Sequence, residues 1–268
     1  MTIRPHAPEW YDRLSNLQQG YFYPWKSRLS PLNGEDTYLD LVHQYLTPET
    51  DVLDVGCGHG AVALELSPYC RSLLAYDRVE SYIQLAQEAA RKKGVENVTY
   101  LCFNSSSASN NGVAKIPAEP ESFDLMISRR GPLHWLEDAR RVARPGAILI
   151  QLNPLETPLP QWANLLPEPL RSSTGIEYQF GMLNSVRHQL ELGGLELHSA
   201  WTYDVPEFFD DPAELYTRLA WGYLPEEVPS WSDVKSILEQ IFSDYSTGSD
   251  GLIMRHTRLL WMALVNTK

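Results

Sequence analysis

The sequence has few cysteines and no long apolar run. Its 268 residues include three cysteines, Cys57, Cys70 and Cys102, which are widely spaced. An odd number without a CxxC pair argues against a disulfide framework and a zinc site, so we expect no bound metal. The longest apolar stretch, residues 259–265, is too short to cross a bilayer. No signal-peptide pattern follows Met1, because polar and charged residues interrupt it. These absences favour a cytoplasmic protein without a membrane partner.

Positive charge is also scarce. Lys and Arg together number 22 against 34 Asp and Glu, and the net charge is −12. Such a chain lacks the broad positive field that attracts phosphate backbones, so we do not expect a nucleic-acid partner. The hydrophobic share of 43% and the charged share of 21% are ordinary for a globular protein. The length suits one domain over residues 1–268 and leaves the oligomeric state open.

Between residues 51 and 153, short apolar runs alternate with segments of helical periodicity. We expect Gly94 to stop the helix after the second strand, and Pro145-Gly146 to break the chain before the fifth strand. The alternation predicts an α/β fold with a parallel, doubly wound sheet and right-handed crossovers. The five predicted strands cover residues 51–55, 73–77, 98–103, 123–128 and 147–152.

The remaining segments surround this predicted core. Residues 104–121 are rich in Ser, Asn and Pro and predict an irregular loop. Closely spaced prolines exclude a long regular element from residues 154–178, which we interpret as a lid. We further predict an aromatic, helical segment over residues 1–50, a sixth strand over 195–203, a helical cap over 207–247 and a last strand over 253–265.

A glycine-rich turn follows the first strand of the core. Asp54 lies within that strand, and Gly56, Gly58 and Gly60 allow a tight turn and close approach of a ligand to the backbone. Asp77 ends the second strand, where a carboxylate can accept both hydroxyls of a ribose. The dinucleotide fingerprint is G-x-G-x-x-G, whereas the spacing here is G-x-G-x-G. The turn therefore indicates a nucleotide-type site of a different kind.

The whole region resembles class I S-adenosylmethionine-dependent methyltransferases. The resemblance implies a Rossmann-like sheet of seven mostly parallel strands with an antiparallel last strand, and S-adenosylmethionine as cofactor. Two further segments, 128–132 and 251–256, look like uncharacterised bacterial methyltransferase-domain proteins. The motifs that carry the family resemblance are the glycine turn, Tyr76-Asp77, Phe103-Asn104-Ser105, residues 123–128 and the turn Ala143-Arg-Pro-Gly-Ala147.

The resemblance also implies roles for individual residues. Asp54 and the glycines would line the methionine half of the cofactor, Asp77 the ribose, and Asn104 with Ser105 the adenine edge. Asn104 stands where the family often has an acid, and its amide can both accept and donate there. The full predicted cofactor set is Asp54, Gly56, Cys57, Gly58, Gly60, Asp77, Arg78, Asn104, Ser105 and Ser128.

The methyl acceptor is less clearly specified. Adjacent Arg129 and Arg130 suggest an anionic group on a small-molecule substrate, because guanidinium groups bind carboxylate or phosphate with two hydrogen bonds; pairing with local acids is the alternative. We predict Trp135 as a further substrate contact. His134 is a candidate base near neutral pH, and Tyr11 a candidate to close over the site. Arg130 completes the predicted catalytic set.

Other functions stay open at this point. An RNA methyltransferase would use a local basic patch, for which Arg129, Arg130, Arg140, Arg141 and Arg144 are the candidates. A non-catalytic S-adenosylmethionine-binding protein would retain the fold without an acceptor site. A dehydrogenase is disfavoured by the glycine spacing. The glycine turn identifies a donor site, and no comparable motif identifies the acceptor.

Overall fold

A single mixed sheet of eight strands organises the computed structural model, which describes residues 7–266. Residues 1–6 of the predicted amino-terminal segment therefore lie outside the described part, as do 267–268. The strands are β1 (Arg28–Leu29), β2 (Asp51–Val55), β3 (Ser72–Asp77), β4 (Val98–Cys102), β5 (Phe123–Arg129), β6 (Ala143–Leu155), β7 (Glu196–Phe209) and β8 (Leu252–Leu264). The α-helices are α1 (Pro8–Leu17), α2 (Glu35–His43), α3 (Ala61–Leu66), α4 (Glu80–Lys93), α5 (Leu136–Val142), α6 (Met182–Leu192), α7 (Pro212–Leu219) and α8 (Trp231–Tyr245).

The sheet has the order β1-β7-β8-β6-β5-β2-β3-β4. Strands β2 to β6 pair in parallel, and β8 is antiparallel to both β6 and β7. The predicted Rossmann-like sheet with an antiparallel last strand is therefore confirmed. The structure adds the two-residue strand β1, which pairs antiparallel with the outer edge of β7. Within the described residues, no helix has both the length and the apolar character needed to span a membrane.

The start of β6 corrects one prediction. Pro145 and Gly146 do not break the chain but lie inside a strand that begins at Ala143. The pairing with β5 steps from Phe123↔Ala143 to Leu125↔Ile148, so three extra residues of β6 bulge out where the proline lacks a donor. Gly146 has φ +83° in this bulge, which allows the strand to continue on its far side.

The end of β7 corrects the predicted start of the helical cap. The predicted cap begins at residue 207, but β7 continues to Phe209 before the α7–α8 helices start. The β7–β8 pairing extends to Phe209↔Leu252, whereas the β6–β8 pairing ends at Leu155↔Thr257. A ribbon that starts at the Asp204↔Thr257 pair and ends at the Phe209↔Leu252 pair, with β1 along its outer edge, therefore projects past the carboxyl end of the sheet. Helix α6 was not predicted, although Met182, Val186 and Leu190 bury one face of it.

The amino-terminal segment lies across the carboxyl edge of the sheet. Arg78, directly after β3, pairs with Asp12 at 2.9 Å and donates to the carbonyl of Pro8. The backbone N–H of Tyr21 donates to His59 in the glycine turn at 3.2 Å. On the cap side, Arg13 pairs with Glu227. These contacts place α1 and residues 18–27 between the glycine turn and the cap.

Gly222 sets how closely the cap approaches α1. Its φ is +80°, and a Cβ there would lie 2.4 Å from the indole nitrogen of Trp10. We expect Gly222→Ala to lower the free energy of unfolding by about 1 kcal/mol for the left-handed backbone and by roughly 1–3 kcal/mol more for the steric overlap. Urea denaturation measures both. Gly94→Ala is the matched control, because Gly94 has φ +65° and no atom within 4 Å of an added Cβ. Equal losses in the two variants would contradict this close contact.

Candidate cofactor and acceptor site

The glycine turn is held by hydrogen bonds from the neighbouring strand. The N–H groups of Gly56 and Cys57 donate to the carbonyl of Tyr76, at 2.9 and 3.1 Å. Gly60 has φ +78°, and a Cβ there would lie 2.7 Å from Tyr100. At Gly58, with φ +54°, an added Cβ would meet no atom within 4 Å. The turn is therefore packed tightly on its inner side and open at Gly58, as a ligand-facing surface requires.

Asp77 fixes the shape of this turn. One of its carboxylate oxygens accepts the N–H of Gly58 at 2.9 Å, and the other accepts the N–H of Val79 at 2.9 Å. Each oxygen retains a further acceptor position, which two ribose hydroxyls can use. Burial raises the pKa of Asp77 even though both backbone bonds favour the carboxylate. Its orientation therefore suits the predicted ribose contact, which stays a prediction.

Asp54 is the most unusual group at this edge. Its side chain is 2% exposed, and its Oδ2 atom is buried without a hydrogen-bond partner among the described residues. Burial raises the pKa of Asp54 to about 7, with a smaller opposing effect from Arg129. A buried carboxyl oxygen without a donor is costly, and a cationic donor would satisfy it. The ammonium group of a bound methionine moiety is such a donor, so the site fits S-adenosylmethionine.

Two unpredicted side chains from α2 reach the same place. The Tyr38 hydroxyl and the Oε2 atom of Glu35 are also buried without hydrogen-bond partners in residues 7–266. Burial raises the pKa of Tyr38, which also senses the charge of Asp54. Asp54 and Tyr38 thus bring two polar atoms without a hydrogen bond close together, whereas native proteins satisfy nearly all such groups; Oε2 of Glu35 instead lies 3.7 Å from Arg129. No local motif marks these two residues, because α2 lies outside the family motifs.

The predicted adenine-edge residues form a second group. Asn104 accepts the N–H of Ser106 through its side-chain oxygen at 3.1 Å. The Oγ atom of Ser105 lies 2.9 Å from Nε2 of His134. Burial lowers the pKa of His134, which favours the neutral ring. The predicted base is therefore engaged with a residue of the adenine edge, and its catalytic role stays a prediction.

Two predicted residues, one near the end of β5 and one after it, are fully buried. Ser128 donates to the carbonyl of Val55 at 2.8 Å and so ties β5 to the end of β2; a direct cofactor contact stays a prediction. Trp135 is 0% exposed, lies in the hydrophobic core and donates to Gln151 at 3.2 Å. Its predicted substrate contact is therefore corrected. The tryptophan lies at the start of α5 and packs in the same hydrophobic core as Leu136 and Ala139 of that helix.

The adjacent arginines meet an acid that was not predicted. Arg130, with φ +64°, binds Glu35 and the hydroxyl of Tyr23. Arg129 lies 3.7 Å from Glu35, and Arg258 on β8 lies 3.2 Å from it. Three guanidinium groups therefore share one carboxylate at the carboxyl edge of the sheet. We call Glu35, Arg129, Arg130 and Arg258 the arginine cluster.

Tyr11 on α1 lies over this edge. Burial raises its pKa, and its hydroxyl senses the charges of both Asp77 and Arg130. Its ring contacts that of Tyr21, with centroids 6.1 Å apart. Tyr11 is therefore within electrostatic reach of both the predicted ribose contact and the arginine cluster, and its closure over the site stays a prediction.

The candidate RNA-binding patch does not form one free surface. Arg141 pairs with Asp138, and Arg144 pairs with Asp51 and Asp124. Arg140 donates to the carbonyl of Gly194 at 2.9 Å. These three arginines therefore make intramolecular contacts that hold α5 and β6 in place.

Comparison with known proteins finds methyltransferases among the similar sequences. Residues 52–146 match the family model of the methyltransferase domain. The uncharacterised methyltransferase YcgJ of Bacillus subtilis is 32% identical over 119 residues, which are 44% of this chain and 43% of that protein. The chain spans less than half the length of the curated relatives it matches.

Solved structures share the fold over most of the chain. A functionally unknown protein from Deinococcus radiodurans has a TM-score of 0.64 at 23% identity and covers 97% of this chain and 100% of its own. The [4+2]-cyclase SpnF has a TM-score of 0.59 at 16% identity, over 97% of this chain and 95% of its own. The predicted resemblance is therefore confirmed over residues 52–146, which match the methyltransferase domain, and the fold is shared over most of the chain.

The environment of Asp54 predicts an unusual pH dependence of stability. Because folding raises the pKa of this group from 3.8 to about 7, the folded state favours the protonated form. Stability is then lost as the pH rises from about 4 to about 7, by at most about 4 kcal/mol. We expect Asp54→Asn to increase the free energy of unfolding at pH 8 and to remove this loss, as measured by urea denaturation without ligand.

Asp51, three residues earlier in β2, is the matched control. Hydrogen bonds from Arg71 lower its pKa despite burial, and Ser72 and Arg144 add to the effect. Asp51→Asn should therefore destabilise the protein at pH 8. A loss of stability at pH 8 in both variants would show that Asp54 has a structural partner and contradict its assignment to a ligand.

Proposed function

We propose that the protein transfers a methyl group from S-adenosylmethionine to a small-molecule acceptor that carries an anionic group. The observation that carries the proposal is the set of unsatisfied buried oxygens at the glycine turn, above all Oδ2 of Asp54. The matched methyltransferase domain, residues 52–146, includes that turn and Asp77. The anionic acceptor is supported by the arginine cluster at the same edge of the sheet.

The cofactor would lie along the carboxyl ends of β2, β3 and β4. Asp54 and the glycine turn would hold the methionine end, Asp77 the ribose, and Asn104 with Ser105 the adenine. His134, through its hydrogen bond to Ser105, would position the adenine edge. When bound, the cofactor supplies a methyl group on a sulfonium, which a nucleophile displaces in line. The protein then mainly has to orient the acceptor and exclude water.

The acceptor would approach from the side of the arginine cluster. Arg130 and Arg258 lie next to Glu35, whose single carboxylate cannot balance the charges around it. An acidic group of the acceptor would complete that balance with charge-assisted hydrogen bonds. Tyr11, within electrostatic reach of both Asp77 and Arg130, would close over the acceptor. A general base is needed only if the accepting atom is protonated, and His134 stays the predicted candidate.

Transfer of a labelled methyl group tests this function. Purified protein, S-[methyl-³H]adenosylmethionine and a bacterial metabolite extract should yield labelled, acid-soluble small molecules. The acceptor activity should disappear from extract passed over an anion-exchange resin at pH 8, because the proposed acceptor is negatively charged. Asp77→Asn should reduce the transfer strongly, since it weakens the carboxylate that orders Gly58 and faces the ribose.

Each alternative function would give a different result in this experiment. Label that becomes acid-insoluble and is released by ribonuclease would support an RNA methyltransferase. Binding of S-adenosylhomocysteine without transfer to any fraction would support a non-catalytic cofactor-binding protein. Acceptor activity that passes unchanged through the resin would overturn the anionic acceptor while leaving the methyl transfer intact.

A further inference from the structure

A fourth arginine, Arg218, lies near the arginine cluster. It belongs to α7 of the cap, and its guanidinium lies 5.5 Å from the ring centroid of Trp25 in the amino-terminal segment. One of its N–H groups donates to the carbonyl of Ser173 in the predicted lid, at 3.4 Å. Cap, lid and amino-terminal segment thus meet at this side chain. None of the three elements belongs to the cofactor-binding core.

Arg218 has no carboxylate partner within 4.0 Å among residues 7–266. The nearby acid, Glu207 on the projecting ribbon, already accepts three hydrogen bonds from other side chains. It accepts the indole N–H of Trp25 at 2.9 Å, the hydroxyl of Ser27 at 2.5 Å and a ring nitrogen of His256 at 2.6 Å. Burial lowers the pKa of Arg218, which shows the cost of its charge there. A guanidinium with five donors and a single long hydrogen bond is poorly satisfied.

The charges around Arg218 and the arginine cluster do not balance. Four guanidinium groups lie near three acids, Glu35, Glu207 and Asp54, which leaves at least one positive charge in excess in a chain whose net charge is −12. Burial lowers the pKa of His256, so this ring is not expected to change the balance at neutral pH. Partly buried charge of one sign is unfavourable unless a counter-charge is supplied.

Aromatic rings join the two arginine positions. The Arg130 guanidinium lies 5.6 Å from the ring centroid of Tyr23, and that ring lies 4.9 Å from the ring of Trp25, which Arg218 covers. Trp221 contacts both rings from the cap side, at 5.2 and 5.4 Å. Aromatic faces and edges of this kind favour a planar, unsaturated ligand.

We propose that Arg218 is a second acid-binding residue, and that the methyl acceptor is an aromatic compound with two acidic groups. One group would bind the arginine cluster and the other would bind Arg218, so that the acceptor spans the rings of Tyr23 and Trp25. This inference rests on the proposed function, because it deepens the description of the same acceptor site. It assigns to the cap and the lid the recognition of the acceptor's distal end.

Binding of simple aromatic acids tests the proposal without the natural acceptor. Isophthalate, benzoate and the neutral isophthalamide are titrated into the full chain saturated with S-adenosylhomocysteine, with melting temperature and calorimetry as readouts. We expect isophthalate to bind more tightly than benzoate, and isophthalamide not to bind. Arg218→Gln should weaken isophthalate about tenfold or more, to the level of benzoate, and leave benzoate unchanged.

Arg255→Gln is the control, because Arg255 makes an exposed ion pair with Asp204 on the same ribbon. It should leave all three titrations unchanged. Arg218→Gln should also keep or raise the melting temperature of the ligand-free protein, since it removes an unpaired charge; a marked decrease would identify Arg218 as structural. Equal affinity for isophthalate and isophthalamide, no binding of isophthalate, or no effect of Arg218→Gln on isophthalate would each overturn the proposal. Retained binding of S-adenosylhomocysteine in these cases would leave the cofactor assignment standing.

Discussion

The carboxylate of Asp54 at the end of β2 is the group on which the rest of the site depends. Strand β2 is buried on both faces of the sheet, and the Asp54 side chain is buried with it. One of its carboxylate oxygens has no protein donor among the described residues. Nothing in the packing requires an acid there, since the surrounding core is apolar. A buried group of this kind reduces stability in the free protein, and a bound cation recovers that loss. The glycine turn and Asp77 then arrange the backbone around the same position.

The periphery of the fold complements this core. The amino-terminal segment, the projecting β7–β8 ribbon and the cap all lie at the carboxyl edge, where parallel α/β sheets bind their ligands. These elements supply Arg218 and the aromatic rings, the end of β5 and strand β8 supply the three guanidinium groups of the arginine cluster, and the core supplies Asp54 and Asp77. The guanidinium groups and the two core acids therefore lie in different parts of the site, as the proposed cationic donor and anionic acceptor would require. SpnF is a cyclase with a similar fold, so the fold alone does not determine the reaction. The function therefore has to be argued from the side chains of the site.

The sequence predicted the core well because its signals there are local. Buried strands, glycine spacing and the acid at residue 77 each follow from a few neighbouring residues, and the strand order followed from the family. The acceptor side depended on contacts between distant segments. Glu35, Tyr38 and Arg218 carry no local signature, and the partner of Arg130 lies 95 residues away. Trp135 was misassigned because no local signal tells whether a residue in the turn before α5 faces the site or the core, and Pro145 because a bulge tolerates a residue that a regular ladder excludes.

Calorimetric titration with S-adenosylhomocysteine at pH 7, in buffers of different ionisation enthalpy, tests the central claim most directly. Because burial raises the pKa of Asp54 to about 7, about half of the molecules carry a proton there before binding. An ammonium group that binds the carboxylate would release it. We expect saturable one-to-one binding with release of roughly half a proton, and no such release from Asp54→Asn. Absence of binding heat together with an unchanged melting temperature would contradict the account.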